Sequence, residues 1–371
     1  IIGMKKAITK QEAQDMLTGS LFLGCGGGGS DKIGQDLIDR SLAIGVSMCS
    51  LSDIDENGLL VTISPVGSPA SKESYCGEST YTRIIELLEK KIADNPETLP
   101  QGKITGVIPC EIGAYSSFGP FLTAAKLDIP VVDAACDGRA HPLGTMGSLG
   151  LTGTVVQLGC GGNPEKGMYT EIEVIAAVDK ASDLIRTASA AAGGLIEVAR
   201  NPVKKSYLET TSATGAYEYA RKIGEEYAKG KTQDERICNA ANAVNGTVYA
   251  QGVVEELHLE TKNALDYGYF TVRISENEAY KLTFCNEYMA MDDINGNRLH
   301  TFPDAMITVD VRTGKPVSTA FIENGMNVVL ITSHRSNMLL GEGVKHRAPY
   351  ERLEGALGIE MIRHIKDILK D

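Results

Sequence analysis

Short runs of β-branched and apolar residues alternate with helical segments through the first half of the chain. Residues 104–109, 130–133 and 153–158 each have the length and composition of a buried strand. Residues 79–93 place their isoleucines and leucines on one face of a helix. Such alternation is typical of a parallel sheet flanked by helices. We therefore predict an α/β fold, with a largely parallel sheet and a glycine-rich loop in a first domain spanning residues 4–235.

The pattern changes after the last of these strands. Residues 171–192 and 208–229 are rich in small residues and indicate two closely packed helices that extend the first domain. From about residue 247, runs rich in Val, Thr, Tyr, Phe and Ile predict strands. We expect a smaller β-rich domain, either a barrel or a sandwich, over residues 236–335. Its predicted strands are 247–259, 269–274, 279–285, 306–311 and 327–332.

The C-terminal segment, residues 336–371, carries a repeat of apolar residues at helical spacing. The repeat consists of Leu353, Leu357, Met361, Ile365 and Leu369. We expect an amphipathic helix here that docks on the first domain.

Composition limits the possible partners. The 371 residues carry a formal net charge of −12, which disfavours nucleic acid and anionic membrane surfaces. No apolar run is long enough to span a bilayer, and the first residues lack the apolar core of a signal peptide. Eight cysteines are too few for a disulfide scaffold of this length. We expect a cytoplasmic homo-oligomer that acts on a small molecule.

Cysteines follow the predicted strands of the first domain. Cys110, Cys136 and Cys160 each come after a β-branched run, and Cys25 and Cys76 lie in similar turn-rich loops. Loops at the carboxyl ends of parallel strands line the ligand crevice, so these thiols would converge if the strands are neighbours. Such a set predicts a transition metal, either Zn²⁺ or an iron–sulfur cluster. Buried packing of some of the thiols is the alternative.

The segments that contain Cys110 and Cys136 also carry acids, an arginine and a histidine. These residues are Glu111, Asp133, Asp137, Arg139 and His141. Carboxylate and imidazole groups can ligate a metal or carry protons, and a planar guanidinium suits a carboxylate or an imide. The structural alternatives are a turn with an ion pair, and a turn capped by Asp133.

Four consecutive glycines, Gly26, Gly27, Gly28 and Gly29, precede Ser30. Ordering such a run costs backbone entropy, which a fold tolerates where the backbone must approach a ligand or present its N–H groups. A phosphate, carboxylate or imide carbonyl would fit such a nest. No Gly-Lys-Ser/Thr follows, so the run is not a Walker motif. We interpret it as a substrate-binding loop, with a flexible turn as the alternative.

Several motifs occur in an order that resembles the S-methyl-thiohydantoin desulfurase-like family. They are LGCGGGGSDKIG, SPVGSPASKES, PCEIGAYSS, IPVVDAACDGRAHP, FCNEY and FPDAMITVDVRTGKPV, within roughly residues 18–160 and 280–345. The resemblance implies an α/β amino-terminal domain, a β-rich carboxyl-terminal domain and an association with hydantoinase and oxoprolinase systems. It also implies metal-dependent removal of sulfur from a thiohydantoin ring.

The resemblance also implies site residues by position. Those that match the family pattern are the glycine loop, Glu111, Asp133, Gly138, Arg139, Asn286, Glu287 and, less closely, His334. Where the family has D-A-D-G-M-G-R-A-F-P-E, this chain has D-A-A-C-D-G-R-A-H-P-L. Ala135 and Leu143 thus replace two acids, and a carboxylate-rich site becomes rich in thiols.

We therefore expect a metal-dependent desulfurase or ring hydrolase that attacks a small cyclic imide or thiohydantoin with activated water. The predicted catalytic residues are Glu111, Asp133, Asp137 and His141. The predicted substrate-binding residues are the glycine loop, Ser30, Arg139, Asn286 and Glu287. The predicted metal ligands are Cys110, Cys136, Cys160, Cys25, Cys76 and His334. One alternative is an iron–sulfur desulfidase or lyase with three cysteine ligands. Another is a non-catalytic ligand-binding subunit of a hydantoinase-like complex.

Overall fold

The computed structural model describes residues 5–68 and 71–370. The outer limits of the predicted domains, Met4 and Asp371, lie outside these residues. The helices are α1 Lys10–Leu23, α2 Asp31–Ile44, α3 Thr80–Asp94, α4 Gly119–Leu127, α5 Val178–Ala191, α6 Lys205–Thr211, α7 Ala216–Lys229, α8 Gln233–Ala243 and α9 Arg347–Leu357. The strands are β1 Lys6–Ala7, β2 Ser47–Cys49, β3 Leu59–Gly67, β4 Ile104–Pro109, β5 Val131–Val132, β6 Ala134–Ala135, β7 Thr154–Gly161, β8 Thr170–Ala177, β9 Leu195–Lys204, β10 Ala213–Thr214, β11 Thr247–Lys262, β12 Leu265–Ser275, β13 Glu278–Cys285, β14 Glu287–Asp293, β15 Arg298–Thr301, β16 Ala305–Asp310, β17 Lys315–Pro316 and β18 Asn327–Ser333.

The first sheet confirms the α/β class. Its strand order is β1-β2-β5-β4-β3-β9-β7-β8, and helices pack against it. Strands β2, β5, β4 and β3 are parallel neighbours. Strands β9, β7 and β8 continue the sheet in antiparallel fashion. The sheet is therefore mixed, and only one part of it has the predicted parallel arrangement.

Two strands in the antiparallel part are absent from the sequence-based prediction. The predicted helix 171–192 begins as β8, and only the part from Val178 onward forms α5. Strand β9 follows α5 and inserts between β3 and β7. Alternating exposure along β8, at the edge of the sheet, explains why its composition did not resemble a buried strand.

The second sheet is antiparallel throughout, in the order β15-β14-β13-β12-β11-β18-β16-β17. Each of the predicted strands in this half is present, which confirms a β-rich region. A barrel or a sandwich stays a prediction, as does the division at residue 235. Among the described residues, no helix combines the length and apolar character that a bilayer crossing requires.

The C-terminal segment connects the two sheets through a shared apolar cluster. Leu353, Met361 and Ile365 are buried there, together with Leu143 of the first domain and Phe302 of the second. Helix α9 ends at Gly358, whose φ of 66° is left-handed, and a 3₁₀ turn follows at Ile362–His364. The predicted continuous helix through Leu369 was therefore wrong.

Candidate functional site

A cleft of about 820 Å³, including its open mouth, lies where the parallel strands end and the second sheet approaches. This is the position where ligands bind in open α/β sheets. Its walls include Gly28, Gly29, Ser30, Val66, Cys110, Glu111, Tyr115, Ser116, His141, Leu143, Arg186, Arg200, Asn286, Glu287 and Phe321.

A thiol, a carboxyl and an imidazole meet in the wall of this cleft. Ligand atoms of Cys110, Glu111 and His141 all lie within 4.8 Å of one another, and all three residues are buried. The loops after β4 and β6 bring them together, because the Asp137 N–H donates to the Cys110 carbonyl at 2.9 Å. The His141 N–H donates to Oε2 of Glu111 at 2.8 Å. The hydroxyl of Ser116 donates to Oε1 at 2.7 Å, so both oxygens of Glu111 are held in place.

Two atoms, one in this group and one beside it, are buried without a hydrogen-bond partner among the described residues. They are Nδ1 of His141 and Oδ2 of Asp137, which lie 3.6 Å apart. Nδ1 of His141 also lies 3.5 Å from Oε2 of Glu111. Unpartnered buried polar atoms are rare in folded proteins, and an ion bound at this place would give both atoms a partner. Thiolate, carboxylate and imidazole donors together suit a transition metal such as zinc.

The second sheet contributes another carboxyl group to the cleft. Glu287 is 2% exposed, and its Oε2 has no partner among the described residues. Burial, with the nearby charge of Glu111, raises the pKa of Glu287 well above its usual range. Burial therefore favours the neutral form of Glu287, the form that can donate a proton. The adjacent Asn286 holds this end of β13 in place, because its Oδ1 accepts the N–H of Asp266 at 2.8 Å.

The glycine loop joins the two sheets and shapes the cleft. The Tyr288 N–H donates to the Cys25 carbonyl at 2.9 Å, and the Thr319 N–H donates to the Gly26 carbonyl at 2.8 Å. A Cβ on Gly27 would overlap with the carboxyl of Glu287. At Gly28 a side chain would also meet a left-handed φ of 81°. Close packing against Glu287 explains Gly27, and close approach to the backbone of Gly113 explains Gly28. Gly28, Gly29 and Ser30 also line the cleft.

Three of the predicted site residues have structural contacts instead of a place in the cleft wall. Asp133 caps α7, because its Oδ1 accepts the Tyr217 N–H at 2.8 Å. Arg139 is fully buried, and its guanidinium donates to the carbonyl of Asp304 at 2.6 Å. His334 is exposed, and its Nδ1 lies 2.8 Å from the hydroxyl of Ser336.

The predicted convergence of three cysteines does not occur. Cys110 and Cys136 share one apolar cluster, and Sγ of Cys136 lies 3.2 Å from the Thr62 hydroxyl. Cys160 lies on β7, which β3 and β9 separate from β4. Three inter-strand spacings amount to about 14 Å, too far for a shared cluster with Cys110. The sequence-based prediction failed here because it did not include β9, which lies between β3 and β7 in the sheet.

The remaining predicted thiols also lie apart from the Cys110, Glu111 and His141 group. Cys25 is buried in the glycine loop, where burial raises the pKa of its thiol. Cys76 is half-buried and packs near Gly161. Within residues 5–68 and 71–370, the Cys110 group is the one set of three or more such donors close enough to share an ion.

Sequence reasoning missed two arginines in the cleft wall. Arg186 lies on α5 and Arg200 on β9. The guanidinium of Arg186 donates to the carbonyls of Ala264 at 2.8 Å and Pro142 at 3.1 Å. A charged residue inside the apolar run 195–204 was a usable signal, but that run was not recognised as a strand.

Comparison with known proteins gives matches over most of the chain. The model of the S-Me-THD-like N-terminal domain matches residues 11–157, and that of the S-Me-THD-like C-terminal domain matches residues 176–349. A crystal structure of a protein from Chromobacterium violaceum is similar, with a TM-score of 0.70 and 16% sequence identity. The match covers 95% of this chain and 96% of that one, and at this identity it supports the fold alone. A search of curated proteins found no relative of this chain.

Proposed function

The chain belongs to the S-methyl-thiohydantoin desulfurase-like family, and we propose that it is a metal-dependent enzyme that hydrolyses a carbon–sulfur bond of a small thiohydantoin. Water replaces sulfur at the ring carbon. A thiohydantoin and water give the hydantoin and hydrogen sulfide, and an S-methyl-thiohydantoin and water give the hydantoin and methanethiol. The related ring-hydrolase reaction is the opening of a cyclic imide by water.

The observation that carries this proposal is the buried group of Cys110, Glu111 and His141, beside two unpartnered polar atoms, in the wall of the cleft. Burial, with the charge of Glu111, raises the pKa of the Cys110 thiol. Without a cation this thiol keeps its proton, so metal binding would release it. Soft thiolate ligation also suits a reaction that handles sulfur.

Cys110, Glu111 and His141 would hold the metal, with Asp137 able to join them through its free Oδ2. When bound, such an ion supplies Lewis-acid activation of water and of the ring carbon at neutral pH. The Ser116 hydroxyl fixes Glu111 in the orientation that ligation needs.

Glu287 acts in this proposal as the proton donor to the departing sulfur. Burial favours the protonated form of its carboxyl, and its Oε2 has no hydrogen-bond partner among the described residues. The packing of Gly27 against this carboxyl keeps it directed at the cleft. Gly29 and Ser30 line the cleft, and in this proposal their backbone N–H groups would bind the ring oxygens of the substrate.

The test begins with protein purified without oxygen, its metal content measured by elemental analysis and its sulfide or methanethiol release followed with a thiol reagent. Cys110→Ser and His141→Gln are expected to lower bound metal to background and to abolish turnover. Cys160→Ser is the matched control, since Cys160 is an equally buried thiol about three strands away. It should retain both metal and turnover.

Other outcomes would separate the alternatives. Loss of metal in Cys160→Ser, with a brown protein, would support an iron–sulfur cluster and contradict the ligand set proposed above. Binding of the ring compounds without turnover, in protein with its metal content intact, would support a non-catalytic ligand-binding subunit.

A further inference from the structure

One of the seven phenylalanines differs from the others in its exposure. Phe321 is 58% exposed at the mouth of the cleft, whereas the other six are fully buried at 0%. Ile33 of α2 is a second exposed apolar residue that lines the same cleft. A large apolar ring in water forgoes the stabilisation that its burial would provide, and a bound molecule would cover it. The mouth of the cleft therefore presents an apolar surface to a ligand.

The backbone on both sides of Phe321 is fixed. Thr319 is buried, and its N–H donates to the Gly26 carbonyl at 2.8 Å. The hydroxyl of Thr319 donates to the carbonyl of Asn286 at 2.6 Å. On the other side, Ile322 is buried in the apolar cluster of the second sheet. A fixed 3₁₀ turn thus presents the ring, so covering it with a ligand requires little further ordering of the chain.

The same turn holds the ring beside polar groups of the cleft. Asn286, which accepts the hydrogen bond from the turn, directly precedes Glu287 in the chain. Phe321 also lines a smaller neighbouring cavity together with Gly29 and Ser30, so the ring lies next to the glycine loop. This side of the cleft combines an aromatic ring with polar groups. A flat heterocycle with an apolar face and polar atoms at its edge is complementary to such a surface.

We propose that Phe321 is a substrate-binding residue whose ring stacks on the flat face of the substrate's heterocycle and directs its edge toward the polar groups of the cleft. The identity of that heterocycle, a hydantoin or thiohydantoin, rests on the proposed function. Both rings are planar, with π electrons delocalised over amide or thioamide groups, and offset stacking on phenylalanine suits them. The contact recognises the ring itself, whatever substituent it carries.

A single fluorophore tests the position of the contact. The chain contains no tryptophan, so Phe321→Trp introduces one at the mouth of the cleft and keeps an aromatic face there. Binding of 2-thiohydantoin should quench its emission, because the thiocarbonyl ring would stack on the indole. The matched control is Leu184→Trp, at a residue that is 48% exposed on α5 and outside the cleft wall. Its emission should not respond to the ligand.

Calorimetry with hydantoin, the product of the proposed desulfuration, measures the size of the contact. Phe321→Ala should weaken binding about 5- to 30-fold, through the loss of stacking and of apolar burial. Phe321→Tyr should bind as tightly as wild type because it keeps the ring. Phe321→Leu should recover only part of the affinity, since leucine supplies an apolar contact without stacking. Leu184→Ala is the control and should bind as wild type does.

Unchanged emission of Phe321→Trp, at 2-thiohydantoin concentrations that saturate wild-type protein in calorimetry, would overturn the inference. Wild-type affinity in Phe321→Ala or in Phe321→Leu would also contradict stacking. If these variants then released sulfide with the wild-type KM, the proposed function would stand without the inference. Binding of both rings that depends on Phe321, without sulfide release, would support the inference and contradict the proposed reaction. Failure of wild-type protein to bind either ring would contradict both.

Discussion

Replacing Glu197 by glutamine tests the electrostatics of the sheet beneath the cleft. Glu197 is fully buried on β9, and its Oε2 accepts the hydroxyl of Tyr115 at 2.9 Å. That hydroxyl lies 3.1 Å from the hydroxyl of Tyr81, so the three side chains form one buried chain of polar groups. Burial raises the pKa of Glu197 from 4.5 to about 8. Glutamine has the same shape, cannot ionise and can still accept the hydrogen bond of Tyr115.

The sign and size of the effect follow from proton linkage. Between pH 4.5 and about 8 the folded protein keeps the proton of Glu197, whereas the unfolded chain releases it. The contribution of Glu197 to stability is therefore complete below pH 4.5 and is lost as the pH rises through about 8. From pH 5 to pH 8 this amounts to about 3 to 4 kcal/mol. The unfolding free energy of Glu197→Gln minus that of wild type should therefore increase by this amount when the pH is raised from 5 to 8.

The assay is urea unfolding of both proteins at pH 5, 6.5 and 8, with the stability difference compared at each pH. The control is Glu171→Gln, because the ion pair with Arg83 lowers the pKa of Glu171 and keeps it ionised from pH 5 to 8. Its stability difference from wild type should change little over that range. A difference between Glu197→Gln and wild type that stays constant from pH 5 to 8 would refute the reasoning.

Three further predictions concern the loop, the cap and the metal. Gly27→Ala should displace Glu287, lower turnover at least tenfold and reduce the free energy of unfolding by about 1–3 kcal/mol. The control is Gly355→Ala, which lies in α9 with open space around it and should keep full turnover in the same assays. Asp133→Ala should remove the cap of α7, with a loss of about 1 kcal/mol in urea unfolding. Its metal content, by elemental analysis, should equal that of wild type. Added Zn²⁺ should raise the melting temperature of metal-stripped wild type but not that of Cys110→Ser, measured by scanning calorimetry; an equal rise in both would exclude Cys110 as a ligand.

Local patterns predicted a large part of the fold. The amphipathic helix at 79–93 and the strand at 104–109 are present as α3 and β4, because side-chain periodicity is a local property. Strand β8 was missed because it lies at the edge of the sheet, where its side chains alternate in exposure, and because it continues without a break into the small-residue-rich helix α5. Strand β9 was missed for a different reason: its buried run contains a glutamate and two charged neighbours that local composition cannot distinguish from a loop.

The candidate site, like the fold, was predicted from the sequence only in part. Cys110, Glu111 and His141 were each identified from acids, thiols and imidazole in loops after strands, and the structure brings these three together. Cys160 satisfied the same local rule and lies elsewhere, because an antiparallel strand intervenes. Arg200 was missed because strand β9, which carries it into the cleft wall, was not predicted.

The sequence alone therefore determined the classes of element, the β-rich second half and the chemistry available at the ends of the strands. Those properties depend on residues within a few positions of each other. The tertiary structure decided the strand order, which excludes Cys160, and the approach of the second sheet, which adds Glu287 to the cleft. It also decided the burial that favours the neutral form of Glu287 and leaves Nε of Arg200 without a hydrogen-bond partner among residues 5–68 and 71–370. Strand pairing and desolvation arise from contacts between distant residues, so no local pattern contains them.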